Sequence, residues 1–218
     1  MRHILLAGAL LAVSVAMAQV EPRGENPAIR VNTLLGPTGL ITVPTSTPTR
    51  FDRFQLSTSL GKDVRTVSVN WGIFESIEIG GTFVDREGTR NKVIATGKVL
   101  LLPQNFEWLE VSFGTIDPFD AINSTVYGIA SANIRVPTNA PEDVVGLRVH
   151  VGYGTGVFRD KVIGGGEVFL TRNFSLVGEY NGVDTNGAIR YVYDDNLRIQ
   201  LGIQAKVIYF STTYGLSF

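Results

Sequence analysis

The chain has 218 residues, with 24 glycines, no cysteine, and 19 Lys and Arg against 20 Asp and Glu. Lack of cysteine excludes disulfides, thiolate metal sites, a cysteine nucleophile and a lipidated amino-terminal cysteine, and the balanced charge excludes a basic surface for nucleic acid. Mean hydropathy is +0.16, yet beyond the amino terminus no stretch reaches the roughly 20 apolar residues of a spanning helix, which excludes a helical membrane protein and leaves a β-barrel.

Arg2 and His3 precede an apolar run from Ile4 to about Ala16, and Ala16-Met17-Ala18 has the small-x-small form of a signal-peptidase site. Residues 1–18 therefore read as a cleaved signal peptide, with Gln19 starting the mature chain. The run is too short for a spanning anchor. Gln19 to Arg50 is rich in Pro, Gly and Thr and shows little alternation before Gly39-Leu40-Ile41-Thr42-Val43-Pro44-Thr45. It reads as an irregular segment lying in the lumen, a candidate plug. Residues 51–218 read as the barrel.

From Arg53 a two-residue period takes over. Phe54, Leu56 and Leu60 alternate with Gln55, Ser57 and Ser59, and after Gly61-Lys62-Asp63 the pattern continues with Val67, Val69, Trp71 and Ile73. Ile77, Ile79 and Phe83 face away from Glu78, Gly80 and Thr82; Val93, Ala95, Val99 and Leu101 from Lys92, Thr96 and Lys98. Leu109 to Phe113 carries Glu110 and Ser112 inward, and Val126 to Ile134 carries Ser131 and Asn133, with Arg135 following. Six further strands are expected in Val145–Tyr153, Val162–Leu170, Phe174–Tyr180, Ile189–Tyr193, Leu197–Ile203 and the carboxy-terminal stretch. Thr171-Arg172-Asn173, Asp184-Thr185-Asn186 and Asp194-Asp195-Asn196 mark hairpin turns. A turn near Ala205-Lys206 divides the last 22 residues, Leu197 to Phe218, which are too long for one strand across a bilayer.

The expected fold is thus an all-β, transmembrane, up-and-down antiparallel barrel of about twelve strands, with ten as the alternative. The last strand alternates to the terminus: Ile208, Phe210, Tyr214, Leu216 and Phe218 on the lipid face, Val207, Ser211, Thr213, Gly215 and Ser217 on the other. Tyr214, Leu216 and Phe218 have the form of an assembly signal for the barrel-insertion machinery. A soluble β-sandwich or barrel shares the same period. Aromatics at strand ends, among them Trp71, Phe83, Phe113, Tyr153, Phe174, Tyr180 and Tyr193, favour a lipid-interface girdle and the bacterial outer membrane.

The other face then gathers Glu78, Lys98, Glu110, Arg148, His150, Glu167, Glu179, Arg190, Arg198 and Lys206 in the lumen. Opposite signs are expected side by side: Glu78 with Lys98, Lys98 with Glu110, Glu179 with Arg190. For any one pair the structural reading, mutual neutralisation, suffices; as a set they line a polar path for a hydrophilic solute. Catalytic chemistry is sparse. His150 is the only histidine after residue 3, no G-x-S-x-G occurs, and a hydrolase centred on His150 is the remote alternative. Gly152-Tyr153-Gly154-Thr155-Gly156 opens no helix, and Gly164-Gly165-Gly166 sits within a strand, where glycines permit bends or close packing. No cofactor or metal is expected.

Two segments carry a family resemblance. Thr38-Gly39-Leu40-Ile41-Thr42-Val43-Pro44-Thr45 resembles the GLI-x-x-PT opening of the YjbH-type outer-membrane proteins associated with exopolysaccharide export. Glu179-Tyr180-Asn181-Gly182, followed by Asn186-Gly187-Ala188-Ile189-Arg190-Tyr191, resembles that family's EY-x-G … N-x-G-x-R-Y hairpin. The resemblance implies a non-enzymatic outer-membrane barrel assisting export or surface assembly of polysaccharide, touching a glycan or periplasmic export partners. A general small-solute pore, or a purely structural envelope barrel, is the alternative.

Overall fold

A computed structural model describes residues 30–62, 64–88, 90–101, 109–135, 146–171 and 173–217. The signal segment 1–18, residues 19–29, Asp63, the turn at 103–105, Val145, Arg172 and the terminal Phe218 lie outside these, as does the side chain of Arg135.

Twelve strands are present among the described residues: β1 (Arg53–Gly61), β2 (Val64–Phe74), β3 (Ile77–Arg86), β4 (Lys92–Leu101), β5 (Leu109–Ile116), β6 (Thr125–Arg135), β7 (Gly146–Gly154), β8 (Lys161–Phe169), β9 (Phe174–Tyr180), β10 (Thr185–Val192), β11 (Leu197–Gln204) and β12 (Val207–Ser217). Each pairs antiparallel with its chain neighbours, and β1 closes on β12, from Arg53 opposite Ser217 to Gly61 opposite Tyr209. Closure removes the free edges that would otherwise leave a row of backbone groups unpaired.

Burial alternates along the strands. In β2, Thr66, Ser68 and Asn70 are buried while Val67 and Val69 are exposed; in β9, Ser175, Val177 and Glu179 are buried while Phe174, Leu176 and Tyr180 are exposed. Outward positions include Val93 at 70 % exposure, Ile208 at 68 % and Val151 at 60 %. The distribution is inside out relative to a soluble protein, since the polar residues are interior and the apolar ones form the outer wall. The outer face also carries the expected aromatics, with Phe83, Phe113, Tyr153, Phe174, Tyr180, Tyr193 and Tyr214 exposed.

Several local expectations are corrected. The β9–β10 turn spans Asn181–Asp184, closed by the Asn181 N–H donating to the Asp184 carbonyl, so Thr185 and Asn186 already belong to β10. The register is thereby four residues from the expected one, with Asn186 opposite Glu179 and Ser175 opposite Arg190; the two charged residues do not face each other. Lys98 lies opposite Gly114, not Glu110. Lys206 is exposed at the tip of the β11–β12 turn, where Ala205 and Lys206 both have positive φ (49° and 69°), so it does not line the lumen. Asn133, Lys92 and Ser217, near strand ends, are likewise exposed.

About twelve strands enclose more space than the roughly eight whose inward side chains fill a barrel unaided. That space holds residues 31–49, nearly all of them buried. The segment folds back on itself: Asn32 pairs with Thr38, Gly39 with Pro44, and the Leu40 N–H donates to the Val43 carbonyl at 2.9 Å. Gly36 takes φ +116°, and a Cβ there would stand 2.3 Å from the Thr82 hydroxyl of the wall.

The interior is graded. Leu40, Ile41 and Val43 join Val84, Ile94, Ile116, Tyr127, Ile129, Phe158, Ile163, Val177, Ala188 and Tyr209 in one apolar cluster. Most of these wall residues sit toward the strand ends away from the chain termini. Gly165, in the middle of β8, makes room for this packing: a Cβ there would meet Leu40 Cδ1 at 2.6 Å.

Candidate functional site: a charged lumen gripping the inner segment

Six of the charged residues expected in the lumen, Glu78, Lys98, Glu110, Arg148, Glu179 and Arg190, bond residues 38–49. Glu78, Lys98, Arg148, His150, Glu167, Glu179, Arg190 and Arg198 are all buried, and the Glu110 side chain is 18 % exposed. Ion pairs join several of these charges: Lys98–Glu78 at 3.6 Å, Arg148–Glu110 at 2.6 Å and Arg190–Glu167 at 3.1 Å. The first joins the expected partners, directly opposite across β3 and β4. Glu110 instead reaches Arg148, and Arg190 reaches Glu167. An isolated buried ion would cost several kcal/mol, so the pairs are what permit these charges inside.

Each of these paired groups except Glu167, which accepts the Ser175 hydroxyl, is also spent on the inner segment. The Glu179 carboxylate accepts the backbone N–H groups of Ile41 (2.8 Å), Thr42 (2.9 Å) and Val43 (3.0 Å), the Thr42 hydroxyl (2.5 Å) and the Asn186 amide (2.9 Å). Among the described residues no cation pairs with it; the turn's amides neutralise it, an anion cradle made of backbone. Arg190 donates to the carbonyls of Gly39 (2.7 Å) and Leu40 (2.5 Å) and to Gln200 (2.5 Å). Glu78 accepts the N–H and hydroxyl of both Thr38 and Thr49. Lys98 donates to the carbonyls of Thr38, Thr45 and Thr47 and to the Thr38 hydroxyl. Glu110 accepts the Ser46 and Thr47 hydroxyls, and Arg148 donates to that of Thr47.

The two motifs noted in the sequence are thereby brought together. Gly39, Leu40, Ile41 and Thr42 form the turn, and Pro44 and Thr45 close it, with the Thr45 N–H donating to the Thr38 carbonyl. Glu179 and Arg190 hold it from the wall. Tyr180 and Tyr191 point outward: Tyr180 is exposed with its hydroxyl on the Gly182 carbonyl, and Tyr191 packs on Phe174 with ring centroids 4.7 Å apart. Gly182 serves the turn through its φ of +87°.

His150 Nδ1 lies 2.7 Å from Ser131 Oγ, which itself accepts the Ser46 N–H. Nε2 has no hydrogen-bond partner among the described residues, so the carboxylate that would complete a hydrolytic triad is not in place. Arg198 belongs to the mouth at the terminal end, donating to the Asp195 and Asn196 carbonyls beside Arg53, which also donates to Asp195. Gln200 and Asn186 were missed as lumen residues, and Gln55 and Asn70, placed on the inward face, were not counted in the lumen network. Their signal was available, since each occupies an inward position of its strand, but uncharged polar residues do not stand out in an alternating pattern.

A closed, twelve-stranded antiparallel barrel with an apolar exterior and a polar interior is the architecture of outer-membrane β-barrels. Among solved structures, KdgM porin is similar at TM-score 0.50 and 9 % identity, over 76 % of this chain and 99 % of that chain. KdgM porin in complex with disordered oligogalacturonate gives 0.49 at 8 % over the same shares. The amino-terminal β-barrel domain of Pseudomonas aeruginosa OprF gives 0.23 at 6 %, over 75 % of this chain and 96 % of that one. At these identities the likeness is one of fold. No protein-family model and no curated protein matches the sequence.

Proposed function

We propose that this protein is a non-enzymatic outer-membrane barrel of the small-solute pore class, held closed by its own residues 30–50. The observation that carries the reading is the pairing of an inside-out barrel with a lumen occupied by a segment bonded to inward residues of β2 through β7, β9 and β10. An apolar outer wall is stable only against lipid, because exposing it to water would forfeit about 25 cal/mol for each Å². An interior of charged and hydroxylic groups suits a hydrophilic solute, and the bound segment stands in that path.

Planar-bilayer recording tests this. The intact protein should be closed or poorly conducting, and deletion of residues 30–50 should raise conductance. Large, stable conductance from the intact protein would remove the plug from the reading.

A second reading, assistance to export or surface assembly of polysaccharide, is favoured by the contact between the two segments that resemble YjbH-type proteins, through Glu179 and Arg190. Loss of surface polysaccharide on deleting the gene would support it. An unchanged polysaccharide coat would leave the pore reading alone.

A further inference from the structure

The inner segment is held through its hydroxyls as well as its backbone, and the hydroxyls meet the wall in a repeated way. Glu78 Oε2 accepts both the Thr38 and Thr49 hydroxyls, at 2.8 and 2.9 Å. Glu110 Oε2 accepts both the Ser46 and Thr47 hydroxyls, each at 2.8 Å. Beside each carboxylate stands its paired cation, which donates to one of the same hydroxyls: Lys98 to Thr38 and Arg148 to Thr47. A hydroxyl is both donor and acceptor, so an acid–base pair satisfies both of its capacities at once. Two neighbouring hydroxyls on one carboxylate, with a cation donating to one of them, is how a wall of charges holds a sugar's adjacent hydroxyl groups.

We propose that residues 38–49 act as an internal stand-in for a neutral, polyhydroxylated solute, and that the same wall groups bind a neutral oligosaccharide when the segment gives way. This rests on the reading of the lumen as the solute path. Charge decides for a neutral ligand over an acidic one. In this stretch Lys98, Arg148 and Arg190 are each already paired with a carboxylate, and Glu179 adds a negative charge without a cation. A polyanion would have to break those pairs and approach Glu179, whereas hydroxyls take the places now filled by Thr and Ser.

The test is equilibrium binding to the full-length barrel in detergent, with cellohexaose, maltohexaose and hexagalacturonate as probes. The competitor is weakened in S46A/T47V, which leaves Glu110 and Arg148 untouched. At least one neutral hexamer should bind about tenfold more tightly to this variant than to the unaltered protein, equivalent to about 1.4 kcal/mol, and hexagalacturonate should bind more weakly than that hexamer to both. Folding is checked by the heat-dependent gel shift of a closed barrel. If S46A/T47V does not fold, T42V, which removes the hydroxyl bond to Glu179 and leaves its backbone bonds, replaces it with the same expectation. Tighter binding of hexagalacturonate, or no gain for either neutral hexamer in a folded variant, overturns the proposal. Because binding is read without conduction, this result is independent of the bilayer experiment: a barrel that opens on deletion yet ignores neutral hexamers is a pore of another specificity.

Discussion

Glu179 and Arg190 hold one turn of the chain by its two kinds of backbone group. The carboxylate takes the N–H groups of Ile41, Thr42 and Val43, and the guanidinium takes the carbonyls of Gly39 and Leu40. Neither touches the other. A hydrogen bond to a charged group contributes about 1.5–3 kcal/mol, so these contacts anchor the turn firmly.

Exchanging the two charges, Glu179→Arg with Arg190→Glu, should therefore give no rescue. Each single change should destabilise the folded barrel by about 3 kcal/mol or more, as breaking buried ionic contacts does, and the double variant should be at least as unstable as the worse single. Urea unfolding of the reconstituted protein measures this. Recovery in the double variant would mean that the residues contact each other directly.

Lys98 lies between Glu78 and three segment carbonyls, with its side chain fully buried. Lys98→Met keeps the length of the side chain but strands the Glu78 carboxylate. A loss of about 3–5 kcal/mol is expected, and limited proteolysis should reach residues 38–49 more readily. A loss below about 1 kcal/mol would place the ammonium outside the network.

At Gly165 a Cβ would lie 2.6 Å from Leu40 Cδ1 and 2.3 Å from the Gly178 carbonyl. Gly165→Ala should cost about 1–3 kcal/mol through overpacking. In a Leu40→Ala background the same change should cost less, because one of three close contacts is gone, those with the Gly178 carbonyl and the Glu179 Cα (2.9 Å) remaining. Equal costs in both backgrounds would show that Leu40 does not pack on β8.

On β7, His150 points inward and Val151 outward. Val151→Arg places a charge on the outer wall, at about 2–4 kcal/mol if it lies at the bilayer midplane. The variant should accumulate poorly in outer-membrane fractions and unfold at lower urea. Wild-type accumulation and stability would argue against lipid on that face.

Ala205 and Lys206 both adopt positive φ in a two-residue turn, a conformation favouring Asn-Gly. Ala205→Asn with Lys206→Gly should stabilise the barrel by roughly 1 kcal/mol, raising the temperature of the gel shift. Destabilisation would assign Lys206 a contact within the barrel.

Much was legible in the sequence because strand geometry is local. Side chains alternate across a pleated strand whatever the neighbours do, so the run from Phe54 to Leu216 declared its strands, its two faces and the interior position of Glu78, Lys98, Arg148, Glu179 and Arg190. Lys206 was misplaced because a turn breaks that period, and its two positive φ values leave no mark on the alternation.

Pairing across strands was another matter. Register depends on where each turn closes, and closure at Asn181–Asp184 moved the pairing by four residues, separating Glu179 from Arg190 while leaving both on the inner face. Glu110 found Arg148 two strands away because side chains in a closed lumen reach across curvature that no linear pattern encodes. The irregular residues 30–50 were recognisable as unlike the strands, by their Pro, Gly and Thr. Only the tertiary structure assigned each of their amides, carbonyls and hydroxyls to a wall residue, since a segment without its own repeating hydrogen bonds takes its conformation from the groups that surround it.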